Sequence, residues 1–193
     1  MSLKLLLGRQ VPDCAIIGGG PVGLIFAILS HTSIGNVQIF ESKEHDSTNQ
    51  DNRALALSNG SRLILEEIGV WDRLEKKITK IKKIHTSQAG SFGRTMLDAE
   101  EFNEESLGYI ISYGDLMGAL QEQVKCIRNV EILYETKVTK CIDKKPSLNL
   151  TLQTNNKIKK FKSEFVVLAD GATEEIEGLE LNKKIKHFNH AAI

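Results

Sequence analysis

A glycine-rich segment near the amino terminus constrains the fold of this chain more than any other feature. Gly18, Gly20 and Gly23 follow one apolar run and open the next, with the spacing G-x-G-x-x-G. Gly18 permits a tight turn after a strand, Gly20 lets a ligand approach the backbone, and Gly23 lets a helix pack closely on the strand. The free N–H groups at the start of that helix favour a bound phosphate. The spacing therefore predicts a dinucleotide-binding βαβ unit.

The residues around these glycines support the same prediction. Residues 14–17 are apolar throughout, which is typical of a parallel strand covered on both faces. Pro21 suits the first turn of a helix, because its missing N–H would have no partner there. Residues 36–41 predict the second strand, and Glu41 is placed to bind a ribose hydroxyl. The alternative is a glycine-rich turn beside a surface glutamate.

Charge balance and cysteine usage exclude some classes of protein. Among 193 residues, Lys plus Arg and Asp plus Glu number 25 each, so the chain lacks the basic surplus of a general nucleic-acid binder. Its three cysteines, Cys14, Cys126 and Cys141, show neither paired nor metal-ligand spacing. This favours reduced thiols in an intracellular protein without a metal site. The apolar run near the amino terminus is too short and too rich in glycine to span a membrane.

Two further helices are predicted from apolar residues at helical spacing. The first follows capping residues at 58–61, and its expected apolar face comprises Leu63, Ile64, Ile68, Trp71 and Leu74. The second spans residues 115–127, and its expected apolar face comprises Leu116, Leu120 and Val124. Between Glu41 and the first of these helices, a mainly polar segment predicts a long loop that crosses the dinucleotide site.

Short apolar segments predict the remaining strands. After the second helix, three alternating segments separated by turn residues predict an antiparallel meander over residues 138–161. Residues 165–168 predict a last strand, which ends in Asp170-Gly171. The expected fold class is α/β: a Rossmann-like domain whose parallel sheet has an antiparallel β-meander as a crossover, with part of a second, mixed-sheet domain. Such a crossover indicates a flavin protein rather than a simple nicotinamide-binding domain.

Seven segments carry a resemblance that extends over most of the chain. They are residues 13–23, 51–61 (DNRALALSNGS), 65–71, 84–87, 92–95, 107–111 and 169–172. In this order they resemble the flavin-dependent aromatic hydroxylases of ubiquinone biosynthesis, which belong to the para-hydroxybenzoate hydroxylase superfamily. Several motifs in the right order are more specific than the glycine pattern alone. The resemblance implies FAD as the cofactor and NAD(P)H as the co-substrate.

The resemblance also implies which residues bind FAD. At the glycine turn and the end of the second strand, the implied residues are Gly18, Gly20, Pro21, Gly23, Glu41 and Ser42. The glycine turn would hold the diphosphate, and Glu41 would hold the adenosine ribose.

Further along the chain, four more residues match the family's FAD site. Arg53 would lie near the flavin and its phosphates, where positive charge also attracts NAD(P)H. Asp170 and Gly171 would approach FAD from the end of the last strand, and Val138 would contact the adenine through its backbone. A surface arginine and an ordinary Asp-Gly turn are the alternatives. No catalytic acid or base is singled out by its spacing.

For the complete enzyme, the resemblance implies an FAD-dependent monooxygenase that uses NAD(P)H and O2 to hydroxylate a polyprenylated phenol. A cytoplasmic location is expected, with attachment to the inner-membrane surface or to a ubiquinone-biosynthesis complex left open. Two other functions also stay open. The chain could be a non-catalytic nucleotide-binding or assembly module, or another FAD or NAD oxidoreductase such as a polyprenyl reductase.

Two departures from the family pattern set the expected domain boundaries. Thr173, Glu174 and Glu175 follow the Asp-Gly-Ala motif where the family usually has arginine or serine, and the later Gly-Asp-Ala motif has no counterpart. The chain is therefore expected to be an N-terminal portion of such an enzyme. The predicted divisions are an FAD-binding part at 1–80, partial substrate-domain strands at 81–112, more of the FAD-binding domain at 113–175, and the start of a truncated substrate domain at 176–193.

Overall fold

The structure is a computed structural model that describes residues 13–45, 47–48, 51–87, 90, 92–155, 157–171, 175–179 and 186. Thr173 and Glu174, two of the residues that depart from the family pattern, lie outside these ranges. Most of the predicted segment 176–193 also lies outside them.

Within the described residues, helices and strands alternate along the chain. The first part contains β1 (Cys14–Ile17), α1 (Pro21–Ser30), β2 (Val37–Phe40), β3 (Ala54–Leu57), α2 (Asn59–Glu67), α3 (Trp71–Leu74), β4 (Thr79–Ile81), β5 (Lys83–Ser87) and β6 (Arg94–Asp98). After a 3₁₀ turn at Ala99–Phe102, the second part contains β7 (Gly108–Ser112), α4 (Tyr113–Lys125), β8 (Val130–Leu133), β9 (Thr136–Lys144), β10 (Ser147–Thr154), β11 (Lys157–Ser163) and β12 (Phe165–Leu168).

A parallel sheet of four strands, in the order β12-β1-β2-β8, forms the centre of the fold. The chain moves from β1 to β2 through α1, and from β8 to β12 through the antiparallel sheet β9-β10-β11. Because β2 and β12 lie on opposite sides of β1, the strand order reverses at β1. The predicted α/β class, with a meander as the crossover, is confirmed.

The parallel sheet separates two apolar cores. Cys14 and Ile16 pack with the helices on one face, and Ala15 and Ile17 pack with the meander on the other. Successive side chains of a strand point to opposite faces, so a strand covered on both faces must be apolar at every position. The predicted apolar face of the helix that became α4 is also confirmed, because Leu116, Leu120 and Val124 are all buried in the helical core.

The helix predicted after residues 58–61 is two helices, and part of its predicted apolar face is wrong. Leu63 and Ile64 are 58% and 42% exposed, whereas Leu65 is buried. The break follows from Gly69, which adopts a φ of 70° just after α2. The N–H groups of Gly69 and Val70 donate to the carbonyls of Glu66 and Leu65, which closes the helix in a Schellman motif.

Two small antiparallel sheets lie outside the parallel sheet. One has the order β3-β7-β4 and the other pairs β5 with β6. Residues 54–57, within the segment predicted as a long loop, therefore form strand β3. On the second sheet Ile84, Met96 and Leu97 are exposed. None of the helices within the described residues has both the length and the apolar character needed to cross a membrane.

Candidate cofactor site

A cavity of about 670 Å³ opens at the carboxyl ends of β1, β2 and β12. This is where the strand order reverses, and ligands of open α/β sheets bind at such reversal points. Its volume lies within the range usual for small-molecule sites. Eight of the ten predicted FAD-binding residues line it, namely Gly18, Gly20, Pro21, Glu41, Ser42, Val138, Asp170 and Gly171.

The turn between β1 and α1 is shaped by two glycines. Gly18 has a φ of 105°, and a Cβ atom there would overlap the backbone of Ala169, which follows β12. A Cβ atom on Gly23 would overlap the carbonyl oxygen of Gly18, because α1 packs directly on the turn. Gly23 is therefore buried beneath the turn and does not line the cavity. Its contribution is to hold the first turn of α1 close to the strand.

The N-terminus of α1 faces the cavity without a side-chain cap from the described residues. Gly20 is the N-cap residue, Pro21 follows it, and the first intrahelical bond runs from the Leu24 N–H to the Gly20 carbonyl. The earlier N–H groups therefore lack intrahelical partners, as at any helix start. Apart from its chain neighbours and its own helix, a Cβ atom on Gly20 would have, among the described residues, only the Tyr113 hydroxyl within 4.0 Å. The turn thus leaves room for an anionic group beside free donors, which fits a diphosphate.

Glu41 faces this turn from the end of β2. Its Oε2 atom accepts a hydrogen bond of 2.7 Å from the Gly19 N–H, and its Oε1 atom accepts one of 2.8 Å from the Lys43 N–H. The Glu41 backbone is held as well, by bonds to Leu133 and Thr136. A carboxylate has about four acceptor positions, so two backbone donors leave acceptor capacity on both oxygens. That capacity fits the two hydroxyl groups of a ribose.

The opposite wall of the cavity is formed by the end of β12 and the start of β9. Asp170 and Gly171 follow β12, and the Ala169 N–H donates to the Ile17 carbonyl, which ties this segment to β1. Val138 lies on β9, where its side chain is buried against the meander core. Its predicted backbone contact with adenine, like the other assigned roles in FAD binding, stays a prediction.

Arg53 does not line the cavity. Its side chain is 72% exposed, and its guanidinium forms a bidentate ion pair with Asp51, with an Nη2–Oδ2 distance of 2.6 Å. This contact holds the pKa of the Asp51 carboxyl below its usual value. The guanidinium also lies 4.9 Å from the centroid of the Tyr113 ring, and that ring does line the cavity. Arg53 is therefore next to the site through Tyr113.

Several lining residues were missed in the sequence. Tyr113, Met117 and Gln121 lie on one face of α4, at positions i, i+4 and i+8, and all three line the cavity. The same helical period that identified the apolar face of α4 places this second stripe beside it. Gln121 is only 5% exposed, which is unusual for its residue type. The helical spacing of Tyr113, Met117 and Gln121 was the signal available in the sequence.

No cluster of three or more His, Cys, Asp or Glu side chains suited to a metal ion occurs among the residues that the structure describes. The cavity is lined by backbone N–H groups and hydroxyls, which donate hydrogen bonds, and by the Glu41 carboxylate, which accepts them. Backbone N–H groups and hydroxyls suit a phosphate, and a carboxylate suits the hydroxyls of a sugar.

Comparisons with known proteins agree with this geometry. A family model described as "FAD binding domain" matches residues 12–177. The chain is 26% identical over 168 residues to an uncharacterised protein, slr1300, of Synechocystis sp.. The matched region covers 86% of this chain and 40% of that protein. It is 29% identical over 134 residues to ubiquinone hydroxylase UbiM of Neisseria meningitidis, covering 65% of this chain and 29% of that protein. The predicted resemblance to ubiquinone hydroxylases is confirmed.

Solved structures of similar fold include p-nitrophenol 4-monooxygenase PnpA from Pseudomonas putida, with a TM-score of 0.69 and 17% identity over 84% of this chain and 41% of that one. The flavin-dependent monooxygenase PieE, solved with FAD and substrate, has a TM-score of 0.69 and 19% identity over 86% of this chain and 31% of that one. The chain thus spans well under half the length of the relatives it matches. It belongs to the FAD binding domain family, whose cofactor is the FAD that the sequence predicted.

Proposed function

We propose that this chain forms the FAD-binding part of a monooxygenase that uses NAD(P)H and O2 to hydroxylate a polyprenylated phenol in ubiquinone biosynthesis. The observation that carries the proposal is the position of the Glu41 carboxylate, bonded to the Gly19 N–H beside the uncapped N-terminus of α1. This one turn offers anion donors and a ribose acceptor next to each other. A bound FAD would supply the redox and oxygen chemistry.

The residues of the chain have binding and orienting roles in this proposal. The N–H groups at the start of α1 would hold the diphosphate, with the positive end of the helix dipole directed at it. Glu41 would hold the ribose, and Asp170 and Gly171 would close the site from the side of β12. Arg53 would contribute positive charge at the edge of the cavity, near the diphosphate and the approaching NAD(P)H. No proton transfer is assigned to a side chain of the chain.

The ubiquinone assignment is supported by the names of two relatives. One is the ubiquinone hydroxylase of Neisseria meningitidis, and the other is the mitochondrial ubiquinone biosynthesis monooxygenase COQ6 of Caenorhabditis elegans, which is 26% identical over 144 residues. The proposed substrate is accordingly an aromatic ring with a polyprenyl chain. A peripheral position at a membrane that holds such substrates, or in a complex with other enzymes of the pathway, belongs to the same proposal.

We also propose the division of the chain into parts of two domains. Residues 1–80 and 113–175 would belong to the FAD-binding domain, 81–112 to the substrate domain, and 176–193 to the start of its continuation. The separate β5-β6 sheet supports a second domain, because it is not hydrogen-bonded to the parallel sheet. Its exposed Ile84, Met96 and Leu97 would then lie on the substrate side.

The first test is FAD binding by the purified chain, measured by quenching of FAD fluorescence in wild-type protein and in Glu41→Gln. The proposal expects saturable binding that the substitution weakens. The second test adds NADH or NADPH and a 2-polyprenylphenol, and follows O2 uptake and the gain of one oxygen atom by the phenol.

The alternatives give different results in the same experiment. FAD binding without oxygen transfer, with either NADH or NADPH, would favour an FAD-binding module that is not catalytic on its own. Reduction of the polyprenyl chain, without oxygen incorporation, would favour a polyprenyl reductase. Absence of FAD binding would contradict the proposal as a whole.

A further inference from the structure

The hydroxyl of Tyr113 lies above the start of α1. Tyr113 is the first residue of α4, and its phenol oxygen is 4.0 Å from the point where a Cβ atom on Gly20 would lie. Because Gly20 is the N-cap residue of α1, the hydroxyl stands at the place where the free N–H groups of that helix begin. The ring thus forms part of the cavity wall directly beside the glycine turn.

The Tyr113 side chain is held in this position by its neighbours. Its backbone N–H donates to the Arg53 carbonyl at 2.8 Å, and the Arg53 guanidinium stacks over its ring. Asp51 fixes that guanidinium in turn, because its Oδ1 accepts from Nε and its Oδ2 accepts from Nη2. The residue before it, Ser112, caps α4 by accepting from the Asp115 N–H at 3.1 Å. The ring is therefore anchored from the backbone and from one face.

The hydroxyl itself is available for a ligand. None of the described residues hydrogen-bonds the Tyr113 phenol oxygen, although the side chain is only partly exposed. Burial is the main cause that raises the pKa of this phenol above its usual value, so the oxygen keeps its proton at neutral pH. A protonated phenol can donate one hydrogen bond, and an anionic oxygen is its strongest acceptor.

We propose that Tyr113 is a diphosphate-binding residue, whose hydroxyl donates a hydrogen bond to an anionic phosphate oxygen held at the N-terminus of α1. This inference rests on FAD binding at the glycine turn. Arg53, stacked on the same ring, holds the phenol in place without entering the cavity. The phosphate group would then be bound from two sides, by the backbone of α1 and by a side chain of α4.

The test compares ligands that contain a diphosphate with one that lacks it. Binding of FAD, ADP and adenosine is measured by calorimetry for the wild-type chain, Tyr113→Phe and Tyr109→Phe. Loss of a hydrogen bond to a charged group is expected to weaken FAD and ADP binding by about tenfold or more in Tyr113→Phe. Adenosine binding should be unchanged, because adenosine carries no phosphate.

Tyr109→Phe is the matched control. Tyr109 is buried against Trp71 in the helical core and does not line the cavity, so its substitution should leave all three affinities unchanged. Equal ADP affinity in wild type and Tyr113→Phe would overturn the inference and leave the FAD site intact. An equal loss of ADP and adenosine affinity in Tyr113→Phe would also overturn it, because such a loss indicates a structural role for Tyr113. Failure of the wild-type chain to bind FAD or ADP would instead contradict the proposed function, and this inference with it.

Discussion

The carboxylate of Glu41 accepts a hydrogen bond of 2.7 Å from the backbone N–H of Gly19, which lies 22 residues earlier in the chain. This bond joins the end of β2 to the turn after β1, and both elements line the cavity. It fixes the acidic side chain beside the free N–H groups of α1. In the proposed FAD site, the ribose and diphosphate positions would thereby be set relative to each other before the ligand enters.

Replacement of Glu41 by glutamine should weaken FAD binding with little loss of stability. The Glu41 carboxylate accepts from the Gly19 and Lys43 N–H groups through two different oxygens. The amide in Glu41→Gln has one acceptor oxygen, so it cannot keep both of these bonds and also accept from two ribose hydroxyls. We expect FAD affinity to fall by about tenfold or more, since bonds to a charged acceptor are lost. A fluorescence titration measures this. Glu67→Gln, an exposed position on α2 away from the cavity, is the control and should bind FAD as wild type does.

Alanine at Gly23 should destabilise the fold. The added Cβ would overlap the Gly18 carbonyl, so α1 must move away from β1 at a cost of about 1–3 kcal/mol. Urea unfolding followed by circular dichroism measures the loss. Gly118→Ala is the matched control, because a Cβ atom there meets nothing within 4 Å. Gly118 lies inside α4, so its replacement should raise stability by about 0.5–1 kcal/mol. Equal effects at the two glycines would argue against the close packing of α1 on the turn.

Loss of the Ser112 hydroxyl should fray the start of α4, from which Tyr113 projects. Ser112 accepts from the Asp115 N–H and donates to the Asp115 carboxylate at 2.5 Å. We expect Ser112→Ala to lower the free energy of unfolding by about 1 kcal/mol, as for other N-cap residues. Thermal unfolding measures this, and Ser112→Thr should restore most of the loss because threonine keeps the hydroxyl. An equal loss in both variants would mean that the capping bond is not the cause.

The buried thiol of Cys14 should make the fold sensitive to alkali. Burial raises its pKa from the ordinary value of 9.0 to about 11. Below pH 9.0 the thiol is neutral in the folded and unfolded states, and its contribution to stability is fully present. As pH rises, the unfolded thiol ionises first, so stability is lost progressively up to a pH of about 11.

Urea unfolding of wild type and Cys14→Ala across this pH range measures that contribution. The variant should lose less stability as pH rises, although it is less stable at neutral pH because the core loses a sulfur atom. Cys126 is exposed, so Cys126→Ala should follow the wild-type pH profile. An unchanged profile in Cys14→Ala would remove Cys14 as the source of alkaline sensitivity.

The parts of the fold that the sequence predicted are those set by local chemistry. The turn between β1 and α1 needs glycine at Gly18 for its φ and at Gly23 for close packing, so the pattern is visible without any tertiary information. The meander was predictable because turn residues separate three alternating strands. The apolar face of α4 followed from a period that only a helix produces.

The rest depended on contacts that a linear pattern does not contain. The break between α2 and α3 follows from the stop at Gly69, a helix-ending glycine that apolar spacing alone did not take into account. Arg53 is near the site but outside the cavity, because Asp51, two residues earlier, binds its guanidinium. Tyr113 lies at the site because α4 begins directly after β7, which places its first residue next to α1. The pairing of Asp51 with Arg53 has no signature in residue spacing, and the helical period of α4 does not show which element its second face meets.

The position of β1 between β2 and β12 has a consequence for biosynthesis. The Ser163 hydroxyl donates to the Asp13 carbonyl, 150 residues away, just before β12 pairs with β1. On the ribosome, β1, α1 and β2 emerge well before residues 168–171, which form the opposite wall of the cavity. A nascent polypeptide that stops before residues 168–171 lacks one wall of the cavity, so FAD cannot stabilise it by binding there. FAD binding thus distinguishes chains that extend past β12 from chains that stop before it.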